Sequence, residues 1–297
     1  MIDLKYHIAS IVGIFLALGM GILIGSTIVG DNLLVDQQKK VIDRLEEQFY
    51  ALRSKEEEMT RDNQYKGEII NKYENYGQAM LPVLVKGQLK DYRVAVVVSG
   101  DSDVPPGMLN ALSMAGAQVV SKSVVLSEMN LKNVDLRNRL IDYYHLEKKS
   151  SSDTLRYHVA ASVGILVTGE KDPELGSFLQ QNDLVKFSGE GGPVNAVILV
   201  GGANNLSAVF ADSFDRGLIQ SLQSQQIKVF GVENSRVSYS YMESYQKEDI
   251  TTIDNVDLSP GQVSLIMAMN GQPGRYGMKA SAQKFMPALP VNAAIEQ

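Results

Sequence analysis

From Ile8 to Val29 the chain runs for about 22 residues without a charge, long enough for one helix to cross the ~30 Å hydrocarbon layer of a bilayer. Nearly every face of that helix would be apolar, and no strand precedes it to cover it, so burial in a soluble core fits poorly. Ala9, Gly13, Ala17, Gly21 and Gly25 recur at every fourth position. They form one stripe of small residues along which a second helix backbone can approach closely. Residues 1–30 are therefore expected to be a short head and a transmembrane anchor that pairs.

A cleaved secretory signal fits less well, because its apolar core is normally about 7–15 residues and the chain here continues straight into a helical pattern. Charge counting hardly orients the span, with Lys5 on the short side and Lys39, Lys40 and Arg44 on the long side. A short head more naturally stays inside while the bulk is exported, which places the C-terminal part extracytoplasmically. The absence of cysteine does not oppose export, since a domain of this size buries enough surface without disulfides.

Residues 31–81 are charge-dense and reach no proline until Pro82. A 3,4 spacing places Leu34, Val41, Leu45, Leu52, Met59, Ile69, Tyr73, Tyr76 and Met80 on one seam, with polar Gln48 and Asp62 interrupting it. This reads as a coiled-coil stalk, reaching on the order of 70 Å at about 1.5 Å per residue, and polar seam positions would disfavour shifted registers. The alternative is a solvated helix packed on its own globular domain. Glycines in the span and a seam beyond it both favour a homodimer.

Pro82 to Asp91 reads as a linker, residues 92–270 as the globular domain and 271–297 as a Gly/Pro-containing tail. Strands are expected at Arg93 to Ser99, Gln118 to Val125, Val194 to Val200, Ile227 to Val232 and Thr251 to Ile253. Helices are expected at Pro105 to Ala115, Leu136 to Lys148, Thr154 to Val167, Pro173 to Gln181 and Ser213 to Ser224. Another, Gly261 to Met269, would be opened by a capping box at Ser259-Pro260-Gly261-Gln262. Three strands are apolar on both alternate faces and should lie centrally, so the expected fold is α/β, a three-layer Rossmann-like domain with a mainly parallel sheet.

In such a sheet the loops after the strand C-termini share one edge. Here they carry Asp101, Asp103, Gly201, Gly202 and Glu233, a candidate ligand or partner edge. The carboxylates suggest a divalent cation and the glycines a close backbone approach, although strand-to-helix turns require the same residue types in any case. No phosphate-binding glycine motif, nucleophile elbow or cysteine nucleophile is present, so no enzyme is expected. A net charge of −6 without a basic cluster argues against nucleic acid. The three histidines have no metal-ligand spacing, and core packing accounts for most of the 12 methionines. Met278, Met286 and His158 remain as candidate soft ligands.

The span with its small-residue stripe ending at Gly25-Ser26, the seam, Val200-Gly201-Gly202, Asp254-Asn255-Val256-Asp257, Gly261-Gln262-Val263 and Gly274-Arg275-Tyr276-Gly277 together resemble the MctB/SteB family. That family is often labelled copper transport outer membrane protein. The resemblance covers essentially the whole chain. It implies a single-pass protein of the bacterial envelope, tied in one branch to copper and in another to envelope or division work beside a polytopic membrane partner. A barrel pore would need many alternating strands, which this sequence lacks. The residues favour a bilayer-anchored scaffold or assembly partner without a cofactor, with copper handling as the alternative and a metal-dependent hydrolase at Asp101, Asp103 and Glu233 as a third reading.

Overall fold

The computed structural model describes residues 4–101, 103–170 and 172–289, with no side-chain account of 29–34. The chain divides into two compact units, residues 1–71 and 72–297. The first is wholly helical: α1 spans Leu4–Val85 and supplies all its described residues. Leu4–Ile28 has a mean hydropathy of 2.4, and none of its residues is buried by protein. It is long and apolar enough to cross a membrane.

The second unit begins in the last turns of α1. Pro82, read in the sequence as the start of a linker, lies inside the helix, which ends only at Val85. Leu81 and Val85 are fully buried there, and their packing holds the turn that a proline by itself would tend to break. A turn through Gly87 leads to β1 (Arg93–Val98), followed by α2 (Pro106–Ala115) and β2 (Gln118–Val125). Then come α3 (Val134–Tyr143), α4 (Ser152–Val167), α5 (Pro173–Gln181), β3 (Val185–Gly189) and β4 (Ala196–Val200). The chain finishes with α6 (Arg216–Ser224), β5 (Lys228–Val232), α7 (Met242–Lys247), β6 (Thr251–Ile253), α8 (Ser259–Met269) and β7 (Arg275–Tyr276).

The strands form one sheet in the order β3-β2-β1-β4-β5-β6-β7, parallel except for β3, which runs antiparallel to β2. The three doubly apolar strands, β1, β4 and β5, are its centre, as expected. Val94, Val96 and Val98 of β1 face a core closed by the end of α1 with α2 and α8, while Ala95 and Val97 face one closed by α3 to α7. Helices thus cover both faces of the sheet, which is why its central strands carry no polar alternation.

Several expectations shift. The helix expected over Leu136 to Lys148 is α3 and ends at Tyr143, after which His145 turns the chain at φ 51°. Strand β3, which ends at Gly189, and the short helix α7 were both left unassigned by the sequence reading. The expected tail contains β7, and Met286 packs on the α1/α2/α8 core. The capping box does not form: Ser259 makes no intrahelical cap, and Gln262 turns its amide towards Gln78. Glu74 of α1 takes over, accepting from Ser259 N–H at 2.9 Å and Ser259 Oγ at 3.0 Å, so a carboxylate sits at the positive end of α8. Gly77 makes room for this, since a Cβ there would collide with Ser259 Oγ.

Candidate functional site

The sequence direction along the sheet reverses between β1 and β4, where the strand-end loops of an open α/β sheet characteristically leave a crevice. Here the two loops meet. Asp101 Oδ1 accepts from Asn204 N–H at 2.6 Å, and Gly100 lies so close to Gly202 that a Cβ would strike the Gly202 carbonyl. Asn204 in turn accepts from Ser238 N–H, and Ala203 pairs with Tyr239 through backbone bonds in both directions.

The space that Gly201 and Gly202 open is filled by the protein itself. A Cβ on Gly201 would meet the Tyr245 hydroxyl and Tyr241 ring, and one on Gly202 would meet Val237. Tyr241, Tyr245 and Val237 thus occupy the space beside these two backbones. The two tyrosine rings pack edge to face with centroids 6.0 Å apart. Tyr241 Oη donates to Ala208 O at 2.7 Å and accepts from Phe210 N–H, while Tyr245 Oη donates to Asp215 Oδ2 at 2.6 Å. Asp215 ends a π-turn, Ala211–Asp215, and is completely buried. Burial pushes its carboxyl up to about 7 against the opposing pull of the Ser99 and Tyr245 hydroxyls. Burial also raises both tyrosines, and the charge of Asp215 adds to it. The second oxygen of Asp215 and Ser99 Oγ make no well-formed hydrogen bond.

Glu233, expected as an oxygen ligand at this edge, is 0% exposed and has other partners. It accepts from Ser240 Oγ at 2.6 Å and Tyr241 N–H at 2.9 Å, and pairs with Lys279 Nζ at 2.6 Å. Lys279 is positioned by the C-terminal segment: Asp254 accepts from Met278 N–H and Lys279 N–H at 2.7 and 2.9 Å. Gly277 has φ 142° and leaves no room for a Cβ beside the Asp254 carboxylate. Asp257 accepts from Ser235 N–H and Oγ in the same way. The Asp254-Asn255-Val256-Asp257 and Gly274-to-Gly277 motifs are thus the two halves of a strap across the ends of β5 and β6.

Asp101, Asp103 and Glu233 do not converge, and among the described residues no group of three or more His, Asp or Glu side chains is placed to hold a metal ion. Asp101 and Asp103 instead sit exposed on a cleft of about 290 Å³ floored by Val98, Val125 and Phe210. Nor do the candidate soft ligands meet. Met278 is 55% exposed on the strap, Met286 packs on the α1/α2/α8 face, and His158 lies on α4 over the opposite face, 5.5 Å from the Tyr144 ring.

In α1, Gly13, Gly21 and Gly25 have nothing packed against them. Of the seam, Val41, Leu45, Leu52, Met59, Tyr73 and Tyr76 are all more than half exposed, while Ile69 and Met80 are half-buried. The Leu34 side chain lies outside those described. Asp215, Tyr241, Tyr245 and Lys279 escaped sequence reasoning, although the glycine pair after β4 was a trace of the tyrosines that it accommodates.

Compared with models of known families, residues 1–287 match that of the copper transport outer membrane protein MctB. No curated protein matches the chain at a significant level.

Proposed function

The chain belongs to the MctB family, and from that premise we propose that it is a single-pass, membrane-anchored scaffold that pairs with a second copy of itself. One observation carries the reading: six seam residues, Val41, Leu45, Leu52, Met59, Tyr73 and Tyr76, stand exposed at coiled-coil spacing, with Ile42, Phe49, Tyr50, Tyr65 and Ile70 exposed beside them. A lone copy leaves that stripe in water. The turns that do pack on their own core use Glu74, Gln78, Leu81 and Val85 instead, so Tyr73 and Tyr76, on the other side of the same turns, are left for a partner.

The stripe Ala9, Gly13, Ala17, Gly21 and Gly25 supports the same pairing within the bilayer. The short head stays on the cytoplasmic side and the α/β unit works outside, beside a polytopic partner of the envelope or division apparatus. No enzyme activity or cofactor enters this reading, and Tyr241, Tyr245 and the Glu233–Lys279 pair fill the space beside Gly201 and Gly202.

The family's description favours a second reading, copper handling. It predicts that the full chain in detergent takes up Cu(I) stoichiometrically and loses it when Met278, Met286 or His158 is replaced, which calorimetry decides. For the scaffold, light scattering of the full chain in mild detergent should give the mass of two copies. Gly21→Leu together with Gly25→Leu should shift it towards one, and a single-copy mass for the unaltered chain would end the proposal.

A further inference from the structure

On the heptad that puts Leu45, Leu52 and Met59 at position a and Val41 and Ile69 at d, the row beside a, position e, reads Val35, Ile42, Phe49, Glu56, Asn63 and Ile70. Its first three members fall in successive heptads and are 58, 54 and 63% exposed. A two-stranded coil needs only a and d apolar and commonly carries charge at e, whereas an apolar a, d and e face belongs to a helix covered from two directions. Pairing through the seam therefore leaves this flank in water. The other flank, position g, carries Gln37, Arg44, Ala51 and Glu58.

At about 1.5 Å per residue the apolar row begins about 10 Å beyond Ile28 and ends about 30 Å beyond it, where Glu56 and Asn63 take over. Whatever covers it must stand along the stalk, close to the bilayer. A second pair does so at equal height, because its own spans fix it in the same membrane, and Val35, Ile42 and Phe49 then meet their own counterparts. The charges beside the row agree with that occupant. Across the seam, e faces g, so Arg44 meets Phe49 and Glu58 meets Asn63, and neither finds a counter-charge within a pair. Among the described residues, Arg44, Glu46 and Glu58 form no ion pair along their own helix, and Arg53 holds only the exposed Glu57, at 3.5 Å. In a two-fold contact centred on e, position b of one pair faces position g of the next. Position b carries Lys39, Glu46 and Arg53, which sets Glu46 near Arg44 and Arg53 near Glu58, with opposite signs in both cases.

We infer that paired stalks join side by side through Val35, Ile42 and Phe49, each flank being covered by a second copy of the pair. The two helices of a pair carry this row on opposite sides. A pair held on one side keeps the other free, so pairs add in a line along the membrane. The inference rests on the pairing proposed above. It applies in the bilayer, where all copies share one plane, and extraction into detergent separates so short a contact.

The test traps copies as disulfides in oxidised intact membranes holding the full chain, with Leu52→Cys on the seam, Ile42→Cys on the flank, or both. Within one pair the two flank positions lie on opposite sides of the seam, beyond the ~4 Å between Cβ atoms that a disulfide spans. Leu52→Cys alone should stop at two copies, as should Ile42→Cys alone, and the double variant should give a ladder of four copies and more. Adding Phe49→Glu to the double variant should cut the species above two copies at least about tenfold, by placing a carboxylate in the apolar contact, while the two-copy species persists. Glu47→Cys with Leu52→Cys, on the outer face of the helix, measures chance collision and should stop at two. No trapping at position 42 while position 52 still pairs would overturn the inference and spare the pairing, whereas no trapping at 52 would remove both. An equal ladder from Glu47→Cys, or a ladder unmoved by Phe49→Glu, would also overturn it.

Discussion

From Leu4 to Asn71 almost every described side chain is exposed, whereas from Lys72 onward the chain encloses two continuous cores, one on each face of a seven-stranded sheet. The composition of the two regions explains the contrast only in part. Both are rich in apolar residues, but in the second the apolar positions follow the period of elements that cover one another. In the first they lie along a helix with nothing of its own chain to cover them. On the proposed reading such a helix draws its stability from outside, from lipid along the span and from a partner along the seam. Stability is local in one region and borrowed in the other.

Substitutions can break or sharpen that contrast. In the second region the largest effect is expected from Lys279→Met, which leaves the Glu233 carboxylate buried without its cation. The loss should be about 3–5 kcal/mol by chemical denaturation of the full chain in detergent. A loss below about 1 kcal/mol would mean that Ser240 and the Tyr241 amide suffice.

Asp215 gives an effect of similar size but dependent on pH. Its folded carboxyl, at about 7, is raised above the unfolded value near 3.8, so the native state holds the proton more tightly. Its contribution is therefore complete below about pH 3.8 and is lost as pH rises through about 7, on the order of 4 kcal/mol in all. Asp215→Asn, which still accepts from Tyr245, should remove this slope and leave the variant more stable than the parent at pH 8. Parallel stability curves for the two proteins would refute the assignment.

Glu74→Ala removes the carboxylate that caps α8 and should cost about 1 kcal/mol. Smallest of all, Val41→Ser and Leu45→Ser should change the unfolding free energy of the α/β unit by no more than about 0.5 kcal/mol. The same changes should still reduce recovery of the two-copy species, and an equal loss of both properties would erase the distinction between the regions.

What could be read from the sequence follows the same division. The span and the central strands were legible because their signals are periodic and long: an uncharged run for one, β-branched residues on both faces for Val94 to Val98, Ala196 to Val200 and Lys228 to Val232. Short or cross-chain features were not. Helix α7 is six residues, β7 two, and the cap of α8 comes from Glu74, 185 positions away, where a local capping box was expected. The packing at the strand ends was hidden for a related reason. Glycines at 201 and 202 signal that something large approaches, but not that it is Tyr241 and Tyr245 from the start of α7. The Asp254 and Gly277 motifs were visible as motifs, and only the fold joins them through Lys279 to Glu233.

The sequence contains no cysteine, so a single introduced thiol reports pairing without background. Leu52→Cys places it on the seam, and Ser54→Cys places it about 200° around the same helix. In oxidised intact membranes the account predicts a disulfide-linked pair from position 52 and little from position 54. Equal cross-linking at both positions, or none at 52, would contradict it.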